Sequence, residues 1–223
     1  NKLVGYINGL RKWEKQMSGE VQLKPTLDRK YVCVFNKNES QLIDMYGKIH
    51  IRFASMKNCM PERFQNKSKD EFLVATAATN FAILNEQGAT IKQFSCAGNI
   101  KEMAVQKTPN GRQMAMVLTN TMLYSIDLAK RKTVLKIGVD SLYHLGKDPS
   151  GIFAVSYQTG NLNIIDLQGK KSTFSIGNIT NDFEVISSTK GVKVALKTQQ
   201  QVSIFNLFGK REWSKNLAIN EIT

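Results

Sequence analysis

The stretch IKEMAVQKTPNGRQMAMVLTNTMLYSIDLAKRKTVLKI, residues 100–137, is broken at short intervals by turn-forming residues. Between the breaks its apolar residues alternate or run in short blocks, which is the periodicity of strands and not of helices. The pattern predicts strands over Ile100–Gln106, Gln113–Leu118, Met122–Leu128 and Thr133–Ile137. The turn Thr108-Pro109-Asn110-Gly111 supplies a fixed φ, a residue tolerant of left-handed backbone, and a glycine, in the order a tight turn needs. Four short strands joined in this way form an antiparallel meander.

The unit recurs along the chain. An apolar run enters a Gly-type turn at positions 9, 47, 88, 130, 169 and 209, and the steps between them are 38, 41, 42, 39 and 40 residues. Second strands begin near 31, 72, 113, 152 and 192. The downstream units read Leu142–Leu145, Ile152–Tyr157, Leu162–Leu167 and Ser172–Ile176, then Phe183–Ser187, Val192–Lys197, Val202–Leu207 and Glu212–Leu217. Five repeats are visible, near 17–53, 54–94, 95–137, 138–176 and 177–217, with a third-and-fourth-strand hairpin over 1–16. The segment from Phe53 to Asp70 departs most from the pattern, and Asn58-Cys59-Met60-Pro61-Glu62-Arg63 within it reads as a lengthened connection. A lone four-stranded sheet cannot bury both faces, so repeats of about 40 residues are expected to pack radially as the blades of a β-propeller. The expected fold is all-β, a single domain over 1–223, contributing about five blades and part of another to a six- to eight-bladed ring.

Gly9-Leu10-Arg11-Lys12-Trp13-Glu14-Lys15 and Gly209-Lys210-Arg211-Glu212-Trp213-Ser214-Lys215 agree at Gly, Arg, Trp and Lys. With the Asp or Asn that enters most of these turns, the pattern resembles the WD-repeat and quinoprotein-like propeller superfamily. That resemblance implies an architecture and not an activity. The Gly-His and Trp-Asp pairs typical of WD-repeats do not occur in the chain, and none of its cysteines are adjacent, as those of quinoprotein dehydrogenases are. No redox cofactor is therefore expected.

Composition narrows the function classes. The chain has 31 Lys and Arg against 18 Asp and Glu, for a net charge of +13. Such an excess favours acidic partners: protein faces, nucleic acid or anionic surfaces. The three cysteines, Cys33, Cys59 and Cys96, lack metal-site spacing, and no secretory or membrane-spanning stretch is apparent. These features point to an intracellular, cytoplasmic setting, and the missing initiator Met to a segment of a longer chain or a processed product.

No catalytic set emerges. His50 and His144 lack a second His at ligand spacing, and Asp44, Asp127 and Asp166 recur at one place in successive repeats, where a short carboxylate accepts turn N–H groups. Met114, Met116, Met122, Phe153, Tyr157, Phe174, Phe205 and Phe208 read as packing between blades, and Trp13 and Trp213 as covering strand edges or packing between blades. The chain is expected to be no enzyme, with no cofactor or metal.

Charge position carries the functional expectation. In a meander the first-to-second and third-to-fourth turns leave the sheet at one end. Sorted this way, Arg11, Lys12, Arg29, Lys30, Lys130, Arg131, Lys132, Lys170, Lys171, Lys210 and Arg211 form the core of a basic rim, joined by Lys48, Lys67, Lys69, Lys107, Arg112, Lys147, Lys190 and Lys193. The opposite turns, such as Thr119-Asn120-Thr121 and Thr159-Gly160-Asn161, are mostly uncharged. The expected function is an interaction scaffold within a larger assembly, its basic face on an acidic protein subunit; the alternative is nucleic-acid or ribonucleoprotein binding through the same face.

Overall fold

The computed structural model describes residues 2–17, 19–25, 30–35, 40–53, 61–140, 142–177, 182–188 and 190–217. These form six antiparallel sheets, every one a simple meander in sequence order. Sheet I is a hairpin, β1 (Lys2–Ile7) and β2 (Leu10–Gln16). Sheet II comprises β3 (Gln22–Pro25), β4 (Tyr31–Phe35), β5 (Ser40–Asp44) and β6 (Ile49–Phe53). Sheet III comprises β7 (Glu62–Asn66), β8 (Lys69–Ala77), β9 (Asn80–Asn85) and β10 (Thr90–Ser95). Sheet IV comprises β11 (Ile100–Lys107), β12 (Gln113–Thr119), β13 (Met122–Asp127) and β14 (Lys132–Gly138). Sheet V comprises β15 (His144–Asp148), β16 (Gly151–Gln158), β17 (Asn161–Ile165) and β18 (Lys171–Ser175). Sheet VI comprises β19 (Phe183–Ile186), β20 (Lys193–Lys197), β21 (Gln201–Asn206) and β22 (Arg211–Asn216). The chain divides into two compact units, Asn1–Lys101 and Glu102–Thr223.

Strand alternation explains the packing in each unit. On β16, Ile152 and Ala154 join Met114, Met116, Leu118 and Leu123 of sheet IV in one core cluster. The neighbouring Val155 and Tyr157 point the other way and join Val194, Leu196 and Phe205 of sheet VI. Both faces of sheet V are thus covered, which is why its central strand reads as a nearly continuous apolar run. In the first unit, Cys33, Phe35, Leu42 and Ile51 of sheet II pack on Phe72, Val74, Ala82 and Leu84 of sheet III. The hairpin of sheet I closes over Val34 and Ile43 with Leu3 and Trp13.

Polar groups tie adjacent sheets together. Ser125 Oγ donates to Leu167 O at 3.0 Å, from sheet IV to sheet V. Glu102 accepts the Leu145 N–H at 2.7 Å and lies 2.6 Å from His144 Nδ1. Asp148 Oδ2 accepts the Val192 N–H at 3.1 Å, from sheet V to sheet VI. A carboxylate used in this way satisfies a backbone donor at a sheet junction.

Two readings of the sequence need correction. The strand expected at Leu142–Leu145 begins instead at His144 and runs to Asp148. Asp148 Oδ1 accepts from both the N–H and the hydroxyl of Ser150, closing the turn at Pro149-Ser150 and leaving Lys147 and Asp148 in the ladder opposite Ile152 and Gly151. Glu62 and Arg63, expected to end a lengthened connection, instead open β7, which pairs with β8 through a turn in which Lys67 and Ser68 both have positive φ, 49° and 66°. A tight turn without glycine carries no sequence signal. Residues 54–60 lie outside the described residues.

Candidate functional site

The third-to-fourth turns share one construction. Oδ1 of the entering Asp or Asn accepts the N–H groups two and four residues on. Asp44 takes those of Tyr46 and Lys48, Asn85 those of Gln87 and Ala89, Asp166 those of Gln168 and Lys170, and Asn206 those of Phe208 and Lys210, at 2.8–3.1 Å. The recurrent carboxylates are therefore turn elements. The turn after Asp127 is one residue longer. Asp127 Oδ1 accepts the Lys130 N–H at 3.0 Å, Oδ2 meets Arg112 Nη2 at 2.6 Å, and Arg131 takes up the positive φ. Burial raises the pKa of the Asp127 carboxyl, but the Arg112 guanidinium and the Lys130 amide outweigh it and hold the group below the ordinary carboxylate range.

This construction fixes what stands at each turn tip. Tyr46 is 72% exposed and Phe208 is 79% exposed, each followed by Gly-Lys. Phe208 is thus not the packing residue that the sequence suggested. Its siblings behave as expected: Met114, Met116, Tyr157 and Phe205 are buried, and Phe153 and Phe174 are half-buried against the sheet V and VI cluster.

The residues assigned to the basic rim stand as follows. Arg11 and Lys12 follow the β1–β2 turn, exposed, with Arg11 ion-paired to Glu14. Lys30 is exposed just before β4, and Arg29 lies outside the described residues. In the second unit Lys130, Lys132, Lys170, Lys171, Lys210 and Arg211 are all exposed beside third-to-fourth turns, and Arg131 is half-buried. Some charge is spent internally. Arg112 pairs with Asp127, Lys193 with Glu212 at 2.5 Å, and Arg63 with Asp70 at 2.7 Å. Glu212 is held below the ordinary range by its hydrogen bond from Lys193.

Two cavities open among these turns in the second unit. One, of about 440 Å³, lies between sheets V and VI and is lined by Phe153, Phe174, Lys170, Lys190, Leu207 and Phe208 among others. The other, of about 420 Å³, lies between sheets IV and V and reaches Pro109, Arg112 and Gln168. The first is lined by both kinds of turn from sheets V and VI, the second by both kinds from sheet V and by the first-to-second turn of sheet IV. Among the described residues no group of three or more His, Cys, Asp or Glu is disposed to hold a metal, and no helix is long and apolar enough to cross a membrane.

No protein-family model matches the chain, and no curated protein matches it in sequence. Solved structures do match. BamB from Moraxella catarrhalis superposes with a TM-score of 0.63 at 13% identity, covering 97% of this chain and 70% of that one. BBS1N, in its complex with ARL6DN, gives 0.63 at 13% identity, covering 96% and 72%. The WD40 domain of SCAP from fission yeast gives 0.54 at 11% identity, covering 88% and 56%. All are propellers of the WD40 or related kind. The fold is a β-propeller.

Within the propeller, the two histidines serve the blades. His50 Nε2 lies 2.8 Å from Asp44 Oδ2, and its ring meets Tyr31 edge-on. His144 joins Glu102 across two first strands and stacks edge-on with Phe183 of the next blade. Cys33 is buried and in no disulfide; Cys96 is half-buried and in no disulfide, and burial raises its pKa. Cys59 lies outside the described residues.

Proposed function

We propose that this propeller is a non-catalytic interaction scaffold in a larger assembly, presenting its basic turn end to an acidic protein partner. The observation that carries the reading is the series Lys130 and Lys132, Lys170 and Lys171, Lys210 and Arg211. These stand exposed beside equivalent turns of three consecutive blades. Lys132, Lys171 and Arg211 make no ion pair with a described residue. Solvated cations repeated at one end offer complementarity to an extended negative surface and speed encounter with it. BBS1N, a propeller of similar fold, was solved with a protein bound, ARL6DN.

The test is titration with an oligoglutamate peptide, followed by anisotropy at rising salt. Reversing Lys130, Lys132, Lys171 and Arg211 to Glu removes contacts each worth roughly 0.2–1 kcal/mol. Affinity should fall by about 10- to 100-fold, with the circular dichroism unchanged. Unaltered binding overturns the reading. Tighter binding of a single-stranded oligonucleotide, lost in the same variant, replaces it with nucleic-acid recognition.

A further inference from the structure

We propose that this chain associates head to tail, the Trp213 face of sheet VI in one copy closing over the Gly9 turn of sheet I in a second copy. The inference goes beyond the scaffold reading and does not depend on an acidic partner.

Contacts inside each unit show how one sheet holds the next. A side chain of β2, β14 or β18 lies against the bare glycine of the following sheet's turn: Trp13 against Gly47, Leu135 and Ile137 against Gly169, and Phe174 against Gly209. Third-strand neighbours complete the contact. In sheet V, Leu162 and Ile164 join the cluster shared with sheet VI, and both are buried.

Sheet VI repeats this face without its cover. Trp213 on β22 pairs in register with Ile204, as Trp13 on β2 pairs with Gly5. Because Phe205 packs toward sheet V, strand alternation turns Val202, Ile204 and Trp213 the other way. Val202 and Ile204 hold the places of Leu162 and Ile164, four and two residues before the Asn or Asp of the turn, yet they are only half-buried. Trp213 itself is 47% exposed.

Sheet I supplies the matching seat. Of the glycines at 9, 47, 88, 169 and 209, only Gly9 has no described atom within 4 Å of the position a Cβ would take. Tyr6 and Leu10, on either side of that turn, are 65% and 63% exposed. Each copy therefore carries an indole without a bare turn to cover and a bare turn without a side chain upon it. A second copy satisfies both through the pairing of indole and glycine that already joins sheet I to sheet II. Apolar side chains stand in water on both surfaces, so the contact buries them together. The two surfaces differ, which makes the interface heterologous: it passes from copy to copy and stops only if the rotation closes a ring. Charge sets the condition, since every copy carries a net +13. Salt screens that repulsion and should strengthen assembly, while it weakens binding to oligoglutamate.

The experiment is sedimentation velocity of the 223-residue chain at concentrations up to about 100 µM in about 0.5 M salt. The native protein should grow past the dimer. Trp213→Ala and Gly9→Asn should each weaken association at least tenfold; asparagine tolerates the left-handed backbone of Gly9 while placing a side chain in the seat. Leu142→Ala removes an exposed apolar side chain elsewhere and should leave association within about twofold. Mixing the Trp213→Ala and Gly9→Asn proteins restores one intact wedge and one intact seat, and should yield a dimer and nothing larger. Circular dichroism checks that each variant is folded. The proposal is overturned if the native chain stays monomeric throughout, if either variant assembles as the native chain does, or if the mixture remains monomeric. Oligoglutamate binding by a chain that stays monomeric removes the assembly and leaves the scaffold reading standing; assembly without oligoglutamate binding does the reverse.

Discussion

Gly47→Ala is expected to destabilise the first unit by roughly 2–5 kcal/mol, and Gly9→Ala by only about 1–2 kcal/mol. Gly47 sits in the β5–β6 turn and Gly9 in the β1–β2 turn, both at positive φ, +83° and +75°. A side chain at either position carries the left-handed penalty. They differ in what a Cβ would meet: nothing within 4 Å at Gly9, but the Trp13 ring, with Cγ at 2.6 Å, at Gly47. The indole has nowhere to retreat, because a Cβ at Gly5, on the strand paired with it, would already lie 2.1 Å from Trp13 Cε2. Its Nε1–H also donates to Met45 O at 2.9 Å. Trp13 is wedged between two residues without side chains, one in each blade. The check is denaturant unfolding followed by the emission of Trp13 in a Trp213→Phe background, since the chain has two tryptophans. Equal losses in the two variants would mean that the interblade wedge contributes nothing beyond turn strain.

The same wedge shows why the fold was legible. Gly169 faces Leu135 and Ile137 of the preceding blade, and Gly209 faces Phe174. The third-to-fourth turn is left-handed at a glycine in sheets II, III, V and VI, with Arg131 taking that place in sheet IV, and so the sequence displays glycines at 47, 88, 169 and 209. The Asp or Asn entering the turn repeats for the same mechanical reason. What the sequence hid depends on register and on side-chain reach. Strand alternation placed Phe208 in the packing because it says nothing of residues past the last ladder pair, where hydrogen bonds to Asn206 turn the ring outward. Counting lysines at hairpin ends located exposed cations beside the third-to-fourth turns of sheets IV, V and VI. Counting could not reveal that Arg112 answers Asp127, fifteen residues away on another strand, or that Lys193 answers Glu212. The cavity between sheets V and VI was likewise invisible, since its walls come from four separate turns.

Asp44→Ala is expected to cost roughly 2–4 kcal/mol, and Asp44→Asn about 1 kcal/mol or less at neutral pH. The first change deletes acceptors for the Tyr46 and Lys48 amides, both at 2.9 Å, and the partner of His50 at 2.8 Å. The second keeps the Oδ1 acceptor, and the propeller already builds this turn from Asn at positions 85 and 206. The two forms part company in acid. Burial raises the pKa of the Asp44 carboxyl, but the hydrogen bonds from His50, Lys48 and Tyr46 outweigh it and leave the folded value below the ordinary one. A group whose pKa is depressed by folding contributes its full stability above the unfolded pKa and loses it as the pH falls through the folded one. The native protein should therefore lose its advantage over Asp44→Asn as the pH drops below about 3.9, because asparagine has no proton to take up. Unfolding free energies of the two proteins at neutral pH and at about pH 3 make the comparison. A gap that widens in acid would mean that the carboxylate is not the favoured species in the folded turn, and that the hydrogen bonds to Asp44 do not stabilise its charge.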